Sequence, residues 1–304
     1  MSPHETLFLG STKSIESHAI THNKYISFNI KDFPGDYHFT KSAAEKEMIQ
    51  SCGAIVLVID AQGEPYDEPV MNMKDIIQAT YEMNPRIIYQ VLIHKIDGDL
   101  FFKDDSKFDV KRTIATELQK ELGVLSINPQ IEFYLTSLYD HSVHEAFSKV
   151  VQKLIPELQY LEILLDSLLQ YCRIEKAFLF DVVTKIYVAT DNSPVDSQTY
   201  EICSDMIDVV IDVSCIYGRK NEGETLAFDD QSSSIIKLDD KMILYLREVD
   251  ECLALVCMIK DENFDRQHLL DYNLDCFKKS VRDIFEAKQK LLDSMAKPNG
   301  EGAQ

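Results

Sequence analysis

Apolar and polar positions follow two different patterns along this chain, and the pattern changes near Pro156. Before it, residues 53–62 and 86–97 are nearly continuous apolar runs, as is typical of strands buried on both faces of a parallel sheet. Residues 131–140 form a similar run, and residues 25–31 alternate apolar and polar positions. Helical patterns lie between and after these runs, at about 67–83, 108–123 and 142–155. Strand and helix in alternation predict an α/β domain with a parallel sheet.

Beyond Pro156 the pattern indicates a helix, two strands, a helix, three strands and a final helix. The segments are 157–172, 176–191 with a turn near 183–185, 197–218, 234–238, 242–249, 253–260 and about 265–290. This order predicts an α+β domain in which helices pack on an antiparallel sheet. We therefore divide the chain into residues 1–156, residues 157–290 and a tail at 291–304 that we expect to be disordered.

The composition indicates a folded protein of a reducing compartment. Of its 304 residues 45% are hydrophobic, which is enough for the cores of two domains. The net charge of −20 repels nucleic acid and anionic lipid, so neither is expected as a direct partner. Seven cysteines without a C-x-x-C pair indicate free thiols in a cytoplasmic protein. We expect no membrane insertion, because no apolar run reaches the roughly 18 residues of a membrane span and no signal-peptide core is present.

The segment "LFLGSTKS" at residues 7–14 matches a phosphate-binding loop only at its two ends. Such a loop needs G-x-x-x-x-G-K-[ST], because its glycines let backbone N–H groups surround the phosphates while the Lys and the hydroxyl reach phosphate and Mg²⁺. No second glycine follows Gly10 in this segment, and the dipeptide Gly-Lys occurs nowhere in the chain. The segment is therefore not predicted to be a phosphate loop.

Three short motifs follow predicted strands, and the first is "DFPG" at residues 32–35. In GTPases a D-x-x-G at this place senses the nucleotide: the Asp, here Asp32, reaches Mg²⁺ through water, and the N–H of the Gly, here Gly35, faces the γ-phosphate. An ordinary β-turn, which favours Asp, Pro and Gly, explains the tetrapeptide equally well.

The second and third motifs, "HKID" and "TSL", suit the recognition of a guanine base. The carboxylate of Asp97 can accept two N–H bonds from guanine, and the methylene stem of Lys95 can lie along the ring. Backbone N–H groups at Ser137 and Leu138 can hold the base oxygen. The alternative is a strand that leads into a charged turn, with His94 as a hydrogen-bonded strand-end histidine. The three motifs together, in this order, are stronger than any one of them.

These motifs and several longer segments resemble Rag GTPases of the Rag C/Rag D type, from residue 1 to about residue 285. The segments are "MSPHETLFLGST", "DFPG", "GAIVLVIDAQ", "HKID", "FYLTSLYDHSVHEAFSKVVQKLIP", "IEKAFLFDVVTKIYVATDNSPVD" and "CSDMIDVVIDVSCIYG". The resemblance implies an incomplete small-GTPase domain of the P-loop NTPase type at 1–156 and a roadblock/longin-like dimerisation domain at 157–290. It also implies that the first strand, the phosphate loop and the first helix would lie upstream of Met1.

By the same resemblance, residues 6–12 correspond to the switch I region, in which Thr6 and Thr12 approach the phosphates and Mg²⁺. The implied ligand is GTP or GDP with Mg²⁺, and the metal would be held by Thr12 and Asp32. The implied nucleotide-binding residues are His94, Lys95, Asp97, Ser137, Leu138, Thr6, Thr12, Asp32 and Gly35.

Two departures from the family pattern bear on this expectation. Without a phosphate loop no Lys and no backbone cradle hold the β-phosphate, and the loss of a central strand leaves two strand edges unpaired, unless residues 6–9 fill part of the gap. Asp36 stands where the family generally has Gln, which can orient the attacking water. A carboxylate there would repel the γ-phosphate, so we expect slow hydrolysis of GTP.

The resemblance implies a heterodimer with a Rag A/B-type GTPase that docks on a lysosomal scaffold complex and helps to recruit TOR complex 1 when amino acids are plentiful. It implies a cytoplasmic protein recruited to the lysosomal surface, and nuclear in part. Two alternatives stay open. The chain is a pseudo-GTPase that only dimerises through 157–290, or it is an enzyme that uses Asp140, His141 and His144, whose spacing also suits a helix cap with exposed histidines.

Overall fold

The computed structural model describes residues 10–20, 26–217, 228, 232–239, 241–250 and 252–296. The chain forms two compact units. The first includes Asn29–Val150, and the second includes the chain beyond Val150 together with the Ala19–Phe28 segment.

The N-terminal half contains five strands and four helices within the described residues. They are β1 (Glu16–Ile20), β2 (Phe28–Asp32), α1 (Ala43–Gln50), β3 (Ala54–Asp60), α2 (Asp67–Met83), β4 (Ile88–His94), α3 (Asp104–Val124), β5 (Ile131–Thr136) and α4 (Ser142–Leu154). A short 3-10 turn at Asp99–Phe101 precedes α3.

Strands β3, β4 and β5 form the predicted parallel sheet, with β4 in the middle. Tyr89 and Ile93 of β4 are fully buried in one apolar cluster with Ile77 of α2 and Leu118 of α3. The strand register pairs the last residue of β3 with the last residue of β4, and that residue with the last of β5. The loops that carry "HKID" and "TSL" therefore leave the sheet side by side, at its carboxyl edge.

The strand predicted at residues 25–31 does not join this sheet. It appears as β2, which pairs with β1 in a separate two-stranded sheet. Four of the five residues of β2 are exposed. Alternation of apolar and polar residues suits a sheet with one solvated face, whereas strands inside a parallel sheet need continuous apolar runs.

The C-terminal half has the predicted order of elements. It contains α5 (Leu158–Cys172), β6 (Ile174–Asp181), β7 (Tyr187–Thr190), α6 (Ser197–Tyr217), β8 (Ser233–Lys237), β9 (Met242–Asp250), β10 (Leu253–Lys260) and α7 (Gln267–Ala296). The strands form one antiparallel sheet in the order β7-β6-β10-β9-β8. The predicted fold class is thus confirmed, with an α/β part followed by an α+β part.

This antiparallel sheet has a core on each face, because successive residues of a strand point to opposite sides. Leu179 of β6 packs in a cluster with Leu165 of α5 and Phe277 of α7. Its neighbour Phe178 packs in a second cluster with Tyr200 of α6. The continuous apolar sequence of β6 follows from this burial on both faces.

Three details complete the fold. Helix α7 runs to Ala296 and so enters the segment expected to be disordered, while residues 297–304 and Gly218 lie outside the described residues. All seven cysteines are free, with Cys203 and Cys257 buried. In the described part of the chain no helix is both long enough and apolar enough to cross a membrane.

Candidate functional site

The carboxyl ends of β4 and β5 bring two of the predicted base-reading residues together. Binding residues collect at this edge of a parallel sheet because the loops leave it side by side. The Ser137 hydroxyl donates a hydrogen bond to Asp97 Oδ1 at 2.5 Å. Ser137 is fully buried and Asp97 is exposed. Ser137 thus orients the carboxylate of Asp97, and within the described part of the chain no hydrogen bond engages its Oδ2 atom.

Ser137 also closes the turn that follows β5. Its backbone N–H donates to Ser142 Oγ at 2.8 Å, and its hydroxyl accepts from the N–H of Tyr139 at 3.1 Å. The N–H group that we expected to hold a base oxygen is therefore engaged within the protein. Leu138, at the tip of this turn, has an exposed side chain.

Lys95 is held by two residues that the sequence analysis missed, Asp60 and Gln62. Lys95 Nζ lies 2.6 Å from Asp60 Oδ2, and Gln62 Nε2 donates to the Lys95 carbonyl at 2.9 Å. Lys95 has a left-handed backbone with a φ of 65°, which is unfavourable for a residue with a Cβ. The contacts from the β3 end offset this cost. The available signal was the "VIDAQ" sequence, which ends β3 at the same edge of the sheet.

Two titratable residues at this edge, Asp60 and His94, have shifted pKa values. Burial raises the pKa of Asp60, but the hydrogen bonds from Lys95 and from the Gln62 N–H outweigh it and lower the pKa overall. Burial lowers the pKa of His94, although the nearby Asp97 partly opposes this. The His94 ring is therefore neutral at pH 7, and its Nδ1 lies 3.0 Å from Thr136 Oγ1. His94 is a hydrogen-bonded strand-end histidine, as the alternative interpretation of "HKID" held.

The two predicted metal ligands are direct neighbours. Thr12 Oγ1 donates to Asp32 Oδ2 at 2.6 Å. Mg²⁺ prefers hard oxygen ligands and keeps water or phosphate oxygens in its remaining positions. A hydroxyl and a carboxylate fit that donor set. Thr6, the other predicted switch I residue, lies outside the described residues.

Gly35 lies in the turn that follows β2. The Tyr37 N–H donates to the Pro34 carbonyl at 3.0 Å, so a β-turn spans residues 34–37 and includes only the last two residues of the motif. Apart from its chain neighbours, no described residue has a heavy atom within 4 Å of the position that a Cβ on Gly35 would take, so this backbone is open to an approaching ligand. Among the described residues, no hydrogen bond or ion pair joins the Thr12–Asp32 pair to the group around Asp97.

The "DHSVH" segment forms a helix start rather than an evident catalytic dyad. Asp140 Oδ1 accepts hydrogen bonds from the N–H and the hydroxyl of Ser142, the first residue of α4. The carboxylate thus contacts the first N–H of the helix, which agrees with the expectation that this segment begins a helix. The expectation of exposed histidines was wrong: His141 and His144 are half-buried, with ring centroids 6.2 Å apart. Residue spacing along one helix does not show what packs over it.

Comparison with known proteins identifies the class of this chain. Residues 1–207 match the family model described as the Gtr1/RagA G protein conserved region. The chain therefore belongs to the Gtr1/RagA family of G proteins, which implies binding of guanine nucleotides. It is 49% identical to Ras-related GTP-binding protein C of Homo sapiens over 288 residues, covering 94% of this chain and 71% of that protein. It is 47% identical to Ras-related GTP-binding protein D of Mus musculus over 296 residues, covering 97% of this chain and 65% of that protein. These identities support the Rag C/D type.

Some solved structures resemble part of the chain, but with low TM-scores. The Roadblock/LC7 domain from Streptomyces avermitilis has a TM-score of 0.33 and 16% identity, covering 41% of this chain and 97% of that one. Because this score is low, we describe the fold of the C-terminal unit only by its own helices and by the order of its strands.

Proposed function

We propose that this chain is the Rag C/D-type subunit of a Rag heterodimer and that it reads guanine through Asp97. The observation that carries the proposal is the Asp97–Ser137 hydrogen bond at the carboxyl edge of the parallel sheet, in a chain of the Gtr1/RagA family. A carboxylate that is oriented before the ligand arrives binds with less loss of conformational freedom.

Each residue at this edge has a defined task in base recognition. Asp97 accepts N–H bonds from the guanine edge, which adenine cannot supply in the same arrangement. Lys95, tied to Asp60, presents its methylene stem to the base. Leu138 covers the base from the β5 side with an exposed apolar side chain. His94 acts indirectly, because its bond to Thr136 joins the ends of β4 and β5.

A second set of residues would contact the phosphates of the nucleotide. Thr12 and Asp32 would hold Mg²⁺, which neutralises phosphate charge in this class of site. The Gly35 N–H would face the γ-phosphate across an open backbone. Asp36, directly after it, adds negative charge where the family generally has Gln, so we propose that GTP, once bound, is hydrolysed slowly.

The proposed setting follows the Rag C/D type. The chain would pair through residues 157–290 with a Rag A/B-type GTPase, and residues 1–156 would carry the nucleotide. The heterodimer would dock on a lysosomal scaffold complex and help to recruit TOR complex 1 when amino acids are plentiful. The protein would be cytoplasmic, with pools at the lysosomal surface and in the nucleus.

A second candidate function is a pseudo-GTPase that dimerises without binding nucleotide. One observation favours it. The Ser137 N–H, expected to contact the base, already donates to Ser142.

Nucleotide titration of the heterodimer distinguishes a nucleotide-binding Rag subunit from a pseudo-GTPase. The chain is co-expressed with a Rag A/B-type partner whose own nucleotide site is disabled, and fluorescent GDP, GTP and XDP are titrated. In Asp97→Asn an amide donor replaces one acceptor, so we expect GDP binding to weaken by at least about 100-fold and XDP binding to improve. Asp99→Asn changes an exposed carboxylate two residues away and should leave both affinities unchanged.

The outcomes discriminate clearly. Tight GDP binding that moves to XDP in Asp97→Asn supports guanine recognition by this edge. An intact heterodimer without measurable binding supports the dimerisation module. Failure to form any heterodimer would contradict the proposed pairing itself.

A further inference from the structure

A groove of about 400 Å³ lies beside the "DFPG" segment, and its lining includes none of the residues proposed to read the base. One wall is the segment that follows the turn, and the other is a face of α2. The lining residues are Gly35, Asp36, Tyr37, His38, Phe39, Glu68, Asn72, Asp75, Ile76 and Ala79. All of them belong to the first unit.

The groove has an apolar floor and an acidic rim. Tyr37, Phe39, Ile76 and Ala79 are half-buried and form the floor. Three exposed carboxylates stand at the rim, on Asp36, Glu68 and Asp75. Lys74 Nζ lies 3.1 Å from Asp75 Oδ1 and partly neutralises that carboxylate. Among the described residues that line the groove there is no Lys or Arg, and the one basic side chain is the exposed His38.

The segment after the turn is fixed by contacts between its aromatic rings and by a hydrogen bond to α1. The rings of Phe33, Tyr37 and Phe39 form a cluster with centroids 5.0 to 5.6 Å apart. The Tyr37 hydroxyl donates to the Glu45 carboxylate at 2.6 Å, which ties this segment to the start of α1. The aromatic side of the groove is therefore shaped before any ligand arrives.

We propose that this groove binds an arginine side chain from an apolar segment of a partner protein. Its aliphatic stem would lie on the Ile76–Ala79 floor. The flat guanidinium would stack on the aromatic side of the groove and bond to the carboxylates at the rim. A volume of this size exceeds one side chain and leaves room for an apolar neighbour in the same segment. The net charge of −20 on the chain also favours a cationic partner.

The inference goes beyond guanine recognition and does not depend on it. The test uses the full chain without added nucleotide, so a failed nucleotide titration and a failed groove test remain distinct. The methyl groups of Ile76 and Ala79 report directly on the floor of the groove. The probe is the peptide acetyl-Leu-Arg-Leu-amide, and its control carries citrulline, which has nearly the shape of arginine without its charge.

We expect the arginine peptide to shift the NMR signals of both methyl groups with a Kd on the order of 1 mM, and the citrulline peptide to bind about ten times more weakly. Glu68→Gln and Asp75→Asn should each raise the Kd about three-fold, as for partly exposed ion pairs. Asp67→Asn is the matched control, because Asp67 is an exposed acid in the same first turn of α2 that does not line the groove.

A second variant, Ala79→Leu, keeps every rim charge and fills the floor, so it should abolish the shift at Ile76. Circular dichroism and the signal of the buried Ile93 verify that each variant is folded. Equal binding of the citrulline peptide overturns the proposal, since the groove would then select only apolar groups. An arginine-peptide affinity that neither carboxylate variant changes also overturns it, as does the absence of any shift at both methyl groups.

Discussion

At the scale of single residues, the Glu45 carboxylate stands out because it accepts four hydrogen bonds. It is nearly buried at 7% exposure and accepts hydrogen bonds from Tyr37, from Thr40 and from the Ser42 N–H. Ser42 in turn caps the Glu45 N–H, which completes a capping box at the start of α1. The bond from the Tyr37 hydroxyl is the main cause that lowers the pKa of Glu45 to about 2.

We predict that Glu45→Gln destabilises the first unit at pH 7 and removes a pH-dependent part of its stability. A carboxyl whose pKa is lowered by folding stabilises the protein above its unfolded pKa, here 4.5, and loses that contribution as the pH falls to about 2. The thermal midpoint at pH 7 should fall by a few degrees. The decline between pH 4.5 and about 2 should also become shallower. Glu47→Gln, an exposed acid on the same helix, is the control. Equal effects of both variants would contradict the prediction.

Gln90 presents the opposite case, a polar side chain without partners. It is fully buried in the middle of β4, and neither Nε2 nor Oε1 has a hydrogen-bond partner among the described residues. Burying an unpaired amide is costly, whereas an apolar side chain of similar size is not. We predict that Gln90→Leu raises the free energy of unfolding by about 1 kcal/mol in urea denaturation.

Gln90→Ala serves as the comparison for Gln90→Leu. It also removes the amide, but it leaves a cavity and should destabilise the protein. A loss of stability in Gln90→Leu would mean that the amide has a partner in solution, such as a buried water.

The sequence predicted that the candidate site residues lie at one edge of the sheet, but it did not predict the hydrogen bonds that orient them. Asp97, Lys95 and Ser137 could be placed because short motifs follow apolar runs, and strands of a parallel sheet end at a common edge. The bonds that orient them join residues 35 positions apart for Lys95 and Asp60 and 40 positions apart for Asp97 and Ser137. No local pattern encodes such a pair, since the strand register alone decides which loops meet.

At the scale of elements, the strength of the apolar pattern decided what could be predicted. Strands β3, β4 and β10 are nearly continuous apolar runs, and all three lie within the predicted segments. β1 has the sequence "ESHAI" and is almost wholly exposed, so it gave no such signal. α1 is only eight residues long, and its S-x-x-E capping box was the cue that the periodicity analysis overlooked.

In the second unit, a buried ion pair holds β6 to the segment after β7. Lys176 Nζ lies 3.1 Å from Asp191 Oδ2, and both side chains are nearly inaccessible, at 7% and 1%. Lys176 also donates to the Ser193 carbonyl at 2.7 Å, and Asp191 accepts from the Ala177 N–H at 3.1 Å. Burial raises the pKa of Asp191, but hydrogen bonds from Ser193 and Ala177 outweigh it, so its pKa is lowered and the carboxylate is ionised.

We predict that Lys176→Met lowers the free energy of unfolding by about 3 kcal/mol, because it leaves the Asp191 charge buried without a counter-ion. Adding Asp191→Asn to that variant removes the charge and should restore about half of the loss. Lys185→Met breaks a more exposed pair with Asp208 and should cost less than about 1 kcal/mol. Similar losses in Lys176→Met and Lys185→Met, measured by urea denaturation, would show that burial does not set the cost.

At the scale of the whole molecule, charge is the dominant feature. The chain carries 51 acidic and 31 basic side chains. Several acids are paired, such as Glu248 with Lys278 and Asp250 with Arg282, yet the excess of 20 negative charges has no partner of opposite sign within the chain. Such an excess destabilises the compact state through self-repulsion and favours association with cationic surfaces.

We therefore predict that the thermal midpoint rises when NaCl increases from about 10 to 100 mM, because the screening length falls from about 30 to 10 Å. Salt weakens exposed ion pairs as well, but each of these contributes little, whereas the repulsion is summed over the whole surface. KCl at the same ionic strength should give the same rise, and a rise with NaCl alone would indicate binding of a specific ion instead of screening. A midpoint that falls with salt would mean that the pairs outweigh the net charge. Long-range attraction would then contribute little to the binding of a cationic partner, and that binding would depend on the groove residues alone.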